Sequence, residues 1–241
     1  MSRYACFVSV AAVLAAGPAF AQQATDWSGF YAGLTAGVVN STSSVDNPDW
    51  NFFGQIGPDQ YEGPIDLSGA SAAGGAEAGF NFQFNNVVLG IEGDFNALNA
   101  KSDYYYFDPS YECDYACGSS IGITTELSNL ETLRGRVGIT AGNALVYGTA
   151  GLAVGKVTTT IEEYNASEDW WAGGSATSTA WGWTAGAGVE YALDSHWSAK
   201  AEALYYDLKP QSIAENVADE YADYKNHVTG SVLKLGLNYK F

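Results

Sequence analysis

The sequence predicts an all-β fold, an eight-stranded antiparallel transmembrane β-barrel with short periplasmic turns and four long extracellular loops. Three observations predict it. The closing segment, residues 231–241, puts Leu233, Leu235, Leu237, Tyr239 and Phe241 on one side of an extended strand and Lys234, Gly236, Asn238 and Lys240 on the other, which is the two-residue period of a strand. Similar segments recur along the chain in a long-short rhythm of connections. The N-terminus reads as an export signal.

One alternating strand is equally compatible with a soluble sandwich, whose apolar face turns inward; a membrane barrel inverts that arrangement, with lipid outside and polar groups inside. The other segments decide. Strands are expected at 29–39, 71–84, 87–99, 127–140, 144–160, 178–193, 197–207 and 227–241. Tight turns fall at Asn85-Asn86, Ala141-Gly142-Asn143 and Asp194-Ser195-His196, and long polar segments at 41–68, 101–122, 162–171 and 210–226. The count is even, the connections alternate short and long, and each strand reaches the ~9–11 residues that cross a bilayer. No other run of ~18 uninterrupted apolar residues exists outside the leader, so helical spans are excluded.

Residues 1–21 are expected to be a cleaved signal peptide. Arg3 supplies the basic start, residues 7–16 the apolar core and Ala19-Phe20-Ala21 the cleavage site, leaving residues 22–241 as a single barrel domain. A lipoprotein leader would need its Cys at the cleavage point, and Cys6 lies too early. Export makes a disulfide between Cys113 and Cys117, spaced C-x3-C, the expectation. A zinc site is the alternative, but no His lies nearby and only one Cys pair remains. No cofactor is expected.

Composition agrees: 16 Tyr, 11 Phe, 7 Trp and 28 Gly with only 15% charged residues suit short, tightly packed strands. The net charge of −17, or −18 without Arg3, argues against nucleic acid as a partner.

The strand faces sort the charges. Leu89, Ile91 and Phe95 oppose Glu92 and Asp94; Leu133, Val137 and Ile139 oppose Arg134 and Arg136; Trp181, Trp183, Val189 and Tyr191 oppose Glu190. Trp197, Ala201 and Tyr205 oppose Lys200 and Glu202, and Glu77 opposes Phe80 and Phe82. The inner face therefore collects Glu77, Glu92, Asp94, Glu190 and Glu202 against Arg134, Arg136, Lys200, Lys234 and Lys240, half of the ten Lys and Arg. Buried charges must be paired or hydrated, and an eight-stranded barrel is just wide enough for side chains to fill, so the lumen is expected to be plugged by paired charges and water. The fifth strand leaves both faces open: neither Val146, Leu152 and Val154 nor Tyr147 and Ala153 is plainly the outer one.

In order along the chain, Asp26-Trp27-Ser28-Gly29-Phe30-Tyr31-Ala32-Gly33, Leu133-Arg134-Gly135-Arg136-Val137-Gly138, Leu145-Val146-Tyr147-Gly148-Thr149-Ala150-Gly151 and the terminal Asn238-Tyr239-Lys240-Phe241 resemble the small alphaproteobacterial outer-membrane barrels, the porin-like, OmpA/OmpX-type group. The resemblance spans residues 27–241. It implies an outer-membrane location, an envelope-integrity or surface role, no catalytic residues, and a terminal aromatic, here Phe241 with Tyr239, read by the barrel assembly machinery. The C-x3-C loop has no counterpart in that pattern. Outer-membrane lipids and lipopolysaccharide are the expected surroundings.

Acidic residues concentrate in the long segments, among them Asp46, Asp49, Asp59, Glu62 and Asp66, then Asp103, Asp108, Glu112 and Asp114. Such oxygen-rich loops suit divalent cations bridging to lipopolysaccharide phosphates; a solvated repulsive surface is the plainer reading, since no D-x-D-x-D-G loop is present. Tyr104, Tyr105, Tyr106, Phe107, Trp170, Trp171, Trp181 and Trp183 read as an interfacial girdle, with a ligand surface as the alternative. A narrow passive channel is the second functional reading. A lipid A-modifying enzyme is the third, and it needs a His beside a nucleophile. His196 has only Ser195 beside it and His227 only Thr229 on its face, so neither has a convincing catalytic partner.

Overall fold

The computed structural model describes residues 25–46, 65–108, 119–165, 170–217 and 220–241. The signal-peptide reading, the Cys113–Cys117 pair and several of the acidic loop residues, Asp49, Asp59, Glu62, Glu112 and Asp114 among them, fall outside them.

Eight strands form one closed ring: β1 (Gly29–Asp46), β2 (Ile65–Phe84), β3 (Val87–Asp108), β4 (Ser119–Ala141), β5 (Ala144–Asn165), β6 (Trp170–Ala192), β7 (Trp197–Val217) and β8 (Glu220–Lys240). Every neighbour is antiparallel, and β1 closes the ring against β8, with Leu34 opposite Leu237 and Tyr31 opposite Lys240. Closure removes the open edges that would otherwise expose unpaired backbone to lipid. The two tightest turns use the left-handed conformation that two-residue hairpins require, at Asn85 (φ 54°) and Gly142 (φ 62°).

The strands are much longer than periodicity suggests. The expected loops 101–122, 162–171 and 210–226 become largely strand: β3 and β4 stay paired out to Phe107 and Ser120, and β5 and β6 out to Asn165 and Trp170. At ~3.3 Å per residue and the usual ~40° tilt, strands of about 20 residues stand roughly 50 Å tall, twice the ~25 Å lipid-facing band. The upper half projects from the membrane, and there the backbone ladder opens at two seams. The ladder between β2 and β3 runs only up to Ala73 and Leu98, and that between β6 and β7 only up to Gly182 and Leu208. Above those points β3–β6 form one laddered lobe and β7, β8, β1 and β2 the other, and the two stay packed together: Asn99 N–H donates to Ser71 Oγ at 3.1 Å across the β2–β3 seam, and Val45, Ile65 and Leu67 meet Ile121, Ile123 and Ile161 inside. Register irregularities at Ala97/Ala100, Leu127/Asn129 and Leu208/Gln211 mark the same level, as expected where bulges re-aim a strand.

The outer surface of the lower half is a belt of exposed apolar side chains, including Leu34 (72% exposed), Ile91, Leu133, Leu152 and Leu235. It ends upward at Asn40, Lys156, Thr179 and Ser231, all exposed. Trp181, Trp183, Tyr191 and Trp197 also face outward. The interior carries the buried charges. This inside-out distribution is that of a lipid-embedded barrel.

The fifth strand is resolved. Leu145, Tyr147, Thr149, Ala153, Val157, Thr159 and Ile161 are buried in the lumen, while Val146 and Leu152 are exposed to lipid. The girdle expectation is corrected in part. Trp181 and Trp183 belong to the belt, Tyr104 packs against an interior cluster, and Tyr105 and Trp171 stand exposed on the projecting lobe. The side chains of Tyr106, Phe107 and Trp170 lie outside the described residues.

Candidate functional site

The alternation that sends apolar side chains into lipid sends the intervening ones into the lumen, and register brings nine charges to one level. Arg134 on β4 is the hub: its Nη2 lies 2.5 Å from Glu92 Oε1 and 2.6 Å from Asp94 Oδ2 on the neighbouring β3, and its Nη1 lies 3.0 Å from Glu202 Oε1 on β7, across the barrel. Lys200 Nζ sits 2.5 Å from Glu77 Oε1 and 3.1 Å from both Glu92 oxygens. Lys234 Nζ reaches Asp94 Oδ2 and Glu202 Oε1, each at 3.1 Å, and Glu77 Oε2 at 3.7 Å. Arg136 donates to Glu190 Oε2 at 2.8 Å. Five carboxylates face four cations, all buried. The level lies behind Ile91, Leu133 and Leu235 of the lipid belt, and at its lower edge Glu190 and Tyr31 border a cavity at the periplasmic rim that Asp26, Ser198 and Lys240 also line.

Neutral donors complete the shell. Thr132 Oγ1 donates to Asp94 at 2.8 Å, Ser198 Oγ to Glu190 at 2.6 Å, and Asn238 Nδ2 to the same Glu190 oxygen at 3.0 Å. Two tyrosines, which periodicity alone does not place in the site, are integral to it. Tyr31 donates its hydroxyl to Glu92 Oε2 at 2.6 Å and accepts from Arg136 Nη1 at 2.9 Å. Tyr147 donates to Glu202 Oε2 at 2.9 Å, and the Arg136 guanidinium lies 4.1 Å from the Tyr147 ring centroid, a cation–π contact. Both rings lie over cross-strand glycines, Tyr31 opposite Gly79 and Tyr147 opposite Gly188. A Cβ at either glycine would come within 2.4 Å of the tyrosine oxygen. The pairing of an inward Tyr with an inward Gly is the sequence signal for these residues, but it is readable only once register is known.

Tyr31→Phe is expected to destabilise the barrel by about 1–3 kcal/mol, because Glu92 and Arg136 each lose a buried partner. Urea unfolding of the refolded protein in lipid vesicles measures it, and an unchanged midpoint would contradict it.

Apolar clusters flank this level above and below. Above it, Val39, Leu98, Leu127, Leu130, Val157, Leu204, Leu208, Val228 and Val232 form one apolar cluster. A polar rung follows, where Asn226 bonds Ser43, Thr125 and Thr159 at 2.6–3.1 Å. Below the charges, Trp27, Val88, Leu145, Tyr147 and Ala192 pack together at the periplasmic end. Trp27 and Tyr31 of the first-strand motif thus both point inward.

Lys240 departs from the expectation. It is on the inward side of β8, but one turn of the ladder below the charge layer, at the periplasmic rim, where its ammonium donates to the backbone carbonyl of Asp26. The Asp26 carboxyl is held below the ordinary carboxylate range by the backbone N–H of Ser28, then by the Ser28 side chain, with a smaller contribution from Lys240. Asp194, in the turn before β7, is lowered by the backbone N–H groups of His196 and Trp197. Both shifts are downward, so what these caps contribute is present above the unfolded-chain pKa and is lost as pH falls through the folded one.

Among the described residues, neither histidine is joined to both a nucleophile and an orienting acid. Ser195 Oγ and His196 Nδ1 lie 2.9 Å apart, but Asp194 Oδ1 is occupied by the N–H groups of His196 and Trp197 at 2.7 and 2.8 Å and does not orient the imidazole. His227 does have a partner that the sequence reading missed, Asp207, with Nε2 to Oδ1 at 2.9 Å. They meet on the outer face of β7 and β8 because Asp207 registers with Thr229, the next outward position after His227.

The inside-out barrel agrees with comparison to known proteins. Residues 9–241 match the family described as the outer membrane protein beta-barrel domain. The chain belongs to that family. Within it, the 31 kDa outer-membrane immunogenic protein of Brucella melitensis biotype 1 is 33% identical over 225 residues, 89% of this chain and 84% of the relative. The 22 kDa outer membrane protein of Rhizobium leguminosarum bv. viciae is 26% identical over 218 residues, 90% of this chain and 80% of the relative. Among solved structures, the outer membrane protein OprG of Pseudomonas aeruginosa is 16% identical with a TM-score of 0.46, over 91% of this chain and 98% of that one. This family member is therefore an outer-membrane protein.

Proposed function

We propose that this outer-membrane barrel is a non-conducting structural element that supports envelope integrity. The observation that carries the reading is the stacking inside the lumen: a level of paired charges capped above by aliphatic side chains and below by Trp27 and its neighbours. An ion in transit would have to displace Arg134 or Lys234 from their carboxylates and then cross an apolar layer. Both steps are costly in a low-dielectric interior. The packed lumen counts against the narrow-channel reading, and the occupied Asp194 counts against a lipid-modifying hydrolase at His196.

Refolded protein in planar bilayers is expected to produce no discrete conductance steps, and a deletion strain is expected to leak periplasmic markers and become detergent-sensitive. Regular single-channel steps would overturn the non-conducting reading. An intact permeability barrier in the deletion strain would overturn the envelope role.

A further inference from the structure

The projecting β3–β6 lobe carries an outward face that neither lipid contact nor the lumen explains. Register lays it out in rows. Immediately above the belt, Lys101, Glu126, Thr158 and Thr177 are in line across the four strands. Lys101 pairs with Glu126 at 3.4 Å, and the Thr158 and Thr177 hydroxyls lie 3.0 Å apart. The next row is Asp103, Thr124, Thr160 and Ser175, with Thr124 donating to Asp103 at 2.9 Å and Thr160 to Ser175 at 3.1 Å. The third is Tyr105, Gly122, Glu162 and Gly173, where Gly122 leaves the sheet bare on one side of Glu162 and the Trp171 ring lies over Gly173 on the other, 3.1 Å from where a Cβ would stand. Above it stand Tyr164 and Trp171, opposite one another.

Three of these side chains are rings held in the open: Tyr105 is 70% exposed, Trp171 64% and Tyr164 42%. A girdle ring belongs at the bilayer interface. Trp171 is ten residues beyond Trp181 on β6, about 33 Å further along the strand and roughly 25 Å higher at the usual tilt. The face thus combines a flat ladder of hydroxyls and carboxylates, each hydroxyl retaining donor or acceptor capacity after its lateral bond, with exposed rings beside a glycine hollow. That combination matches a saccharide, whose hydroxyls need paired donors and acceptors and whose C–H faces pack on aromatic rings.

We propose that this face binds the sugar portion of lipopolysaccharide in the outer leaflet around the barrel. Two observations select that source over a soluble glycan. The face is continuous with the lipid belt on the same strands, Lys156 and Thr179 following directly on Val154 and Trp181. Because the side chains point radially from the barrel, the surface looks sideways at the headgroups of neighbouring lipids and not up into the medium.

The test uses the refolded chain in detergent micelles, with folding verified by heat-dependent gel mobility, titrated calorimetrically with dephosphorylated, lipid-free core oligosaccharide. Binding is expected, and Trp171→Ala and Tyr105→Ala should each weaken it about fivefold, the loss of one ring contact. Asn40→Ala, on the opposite lobe's wall, should leave it unchanged. In vesicles, complete lipopolysaccharide should shift the tryptophan emission of the wild type but not of Trp171→Ala, relative to vesicles of lipid A that lacks the core oligosaccharide. No heat of binding, or wild-type affinity in both ring variants, would overturn the site. Binding of free oligosaccharide without the vesicle difference would overturn the lipid assignment.

Discussion

Arg134→Met is expected to lower the unfolding free energy of the refolded barrel by about 3–5 kcal/mol, the usual cost of stranding buried charge. Arg134 is the one cation within 2.5–3.0 Å of Glu92, Asp94 and Glu202 together, among the described residues, and Lys200 and Lys234 share that load. Without it, five carboxylates face three cations at a level walled by lipid-facing leucines and isoleucine. Methionine keeps most of the volume, so the loss reports charge and not a cavity. The double variant Arg134→Met/Glu202→Gln removes one stranded carboxylate and should recover part of the loss. Denaturant unfolding in vesicles, followed by tryptophan fluorescence, measures all three. A single-variant loss below about 1 kcal/mol, the value typical of surface pairs, would mean the network does not hold the barrel together.

Phe241→Ala is expected to cut the outer-membrane level of the protein severalfold while leaving the stability of refolded protein within about 0.5 kcal/mol of wild type, as for surface substitutions. The backbone N–H of Phe241 bonds to the Phe30 carbonyl at 3.0 Å and closes the β1–β8 seam, and alanine retains it. The ring is 78% exposed at the periplasmic rim, touching Tyr239 edge-on with centroids 5.3 Å apart. A ring so placed contributes little to packing but is accessible to assembly factors, the role that the resemblance of the closing strand implies. Wild-type levels in the membrane would contradict that role. Reduced levels accompanied by a large loss of stability would assign the effect to the seam.

Much of this architecture was legible before the structure. Strand number, order of short and long connections, and the outward faces of β3, β4, β6, β7 and β8 follow from period-two alternation, because lipid outside and charge inside make the two faces chemically opposite. The reading faltered where that contrast is weak. On β5 both faces are small and apolar, and only pairing shows that Tyr147 faces the lumen. Residues 101–108 and 119–126 look like loop because their outward face turns polar, with Lys101, Asp103, Thr124 and Glu126, yet Ile121 and Ile123 pack inside, Tyr, Thr and Ile favour strands, and the two segments pair with each other. His227 looked isolated because Asp207 lies 20 residues away on another strand.

Lys240 shows the limit most plainly. By alternation it is as luminal as Lys234, and the sequence offers no way to tell them apart. The side of the wall on which a residue stands is a property of its own strand, and the amino-acid order determines it. Which charges meet depends on height within the closed ring, set by stagger, tilt and closure. Lys234 finds Asp94 from 140 residues away, whereas Lys240, six positions further down the same strand, has already left the membrane's interior. Only the tertiary structure decides such a pairing, because it is a relation between strands and not a property of any one of them.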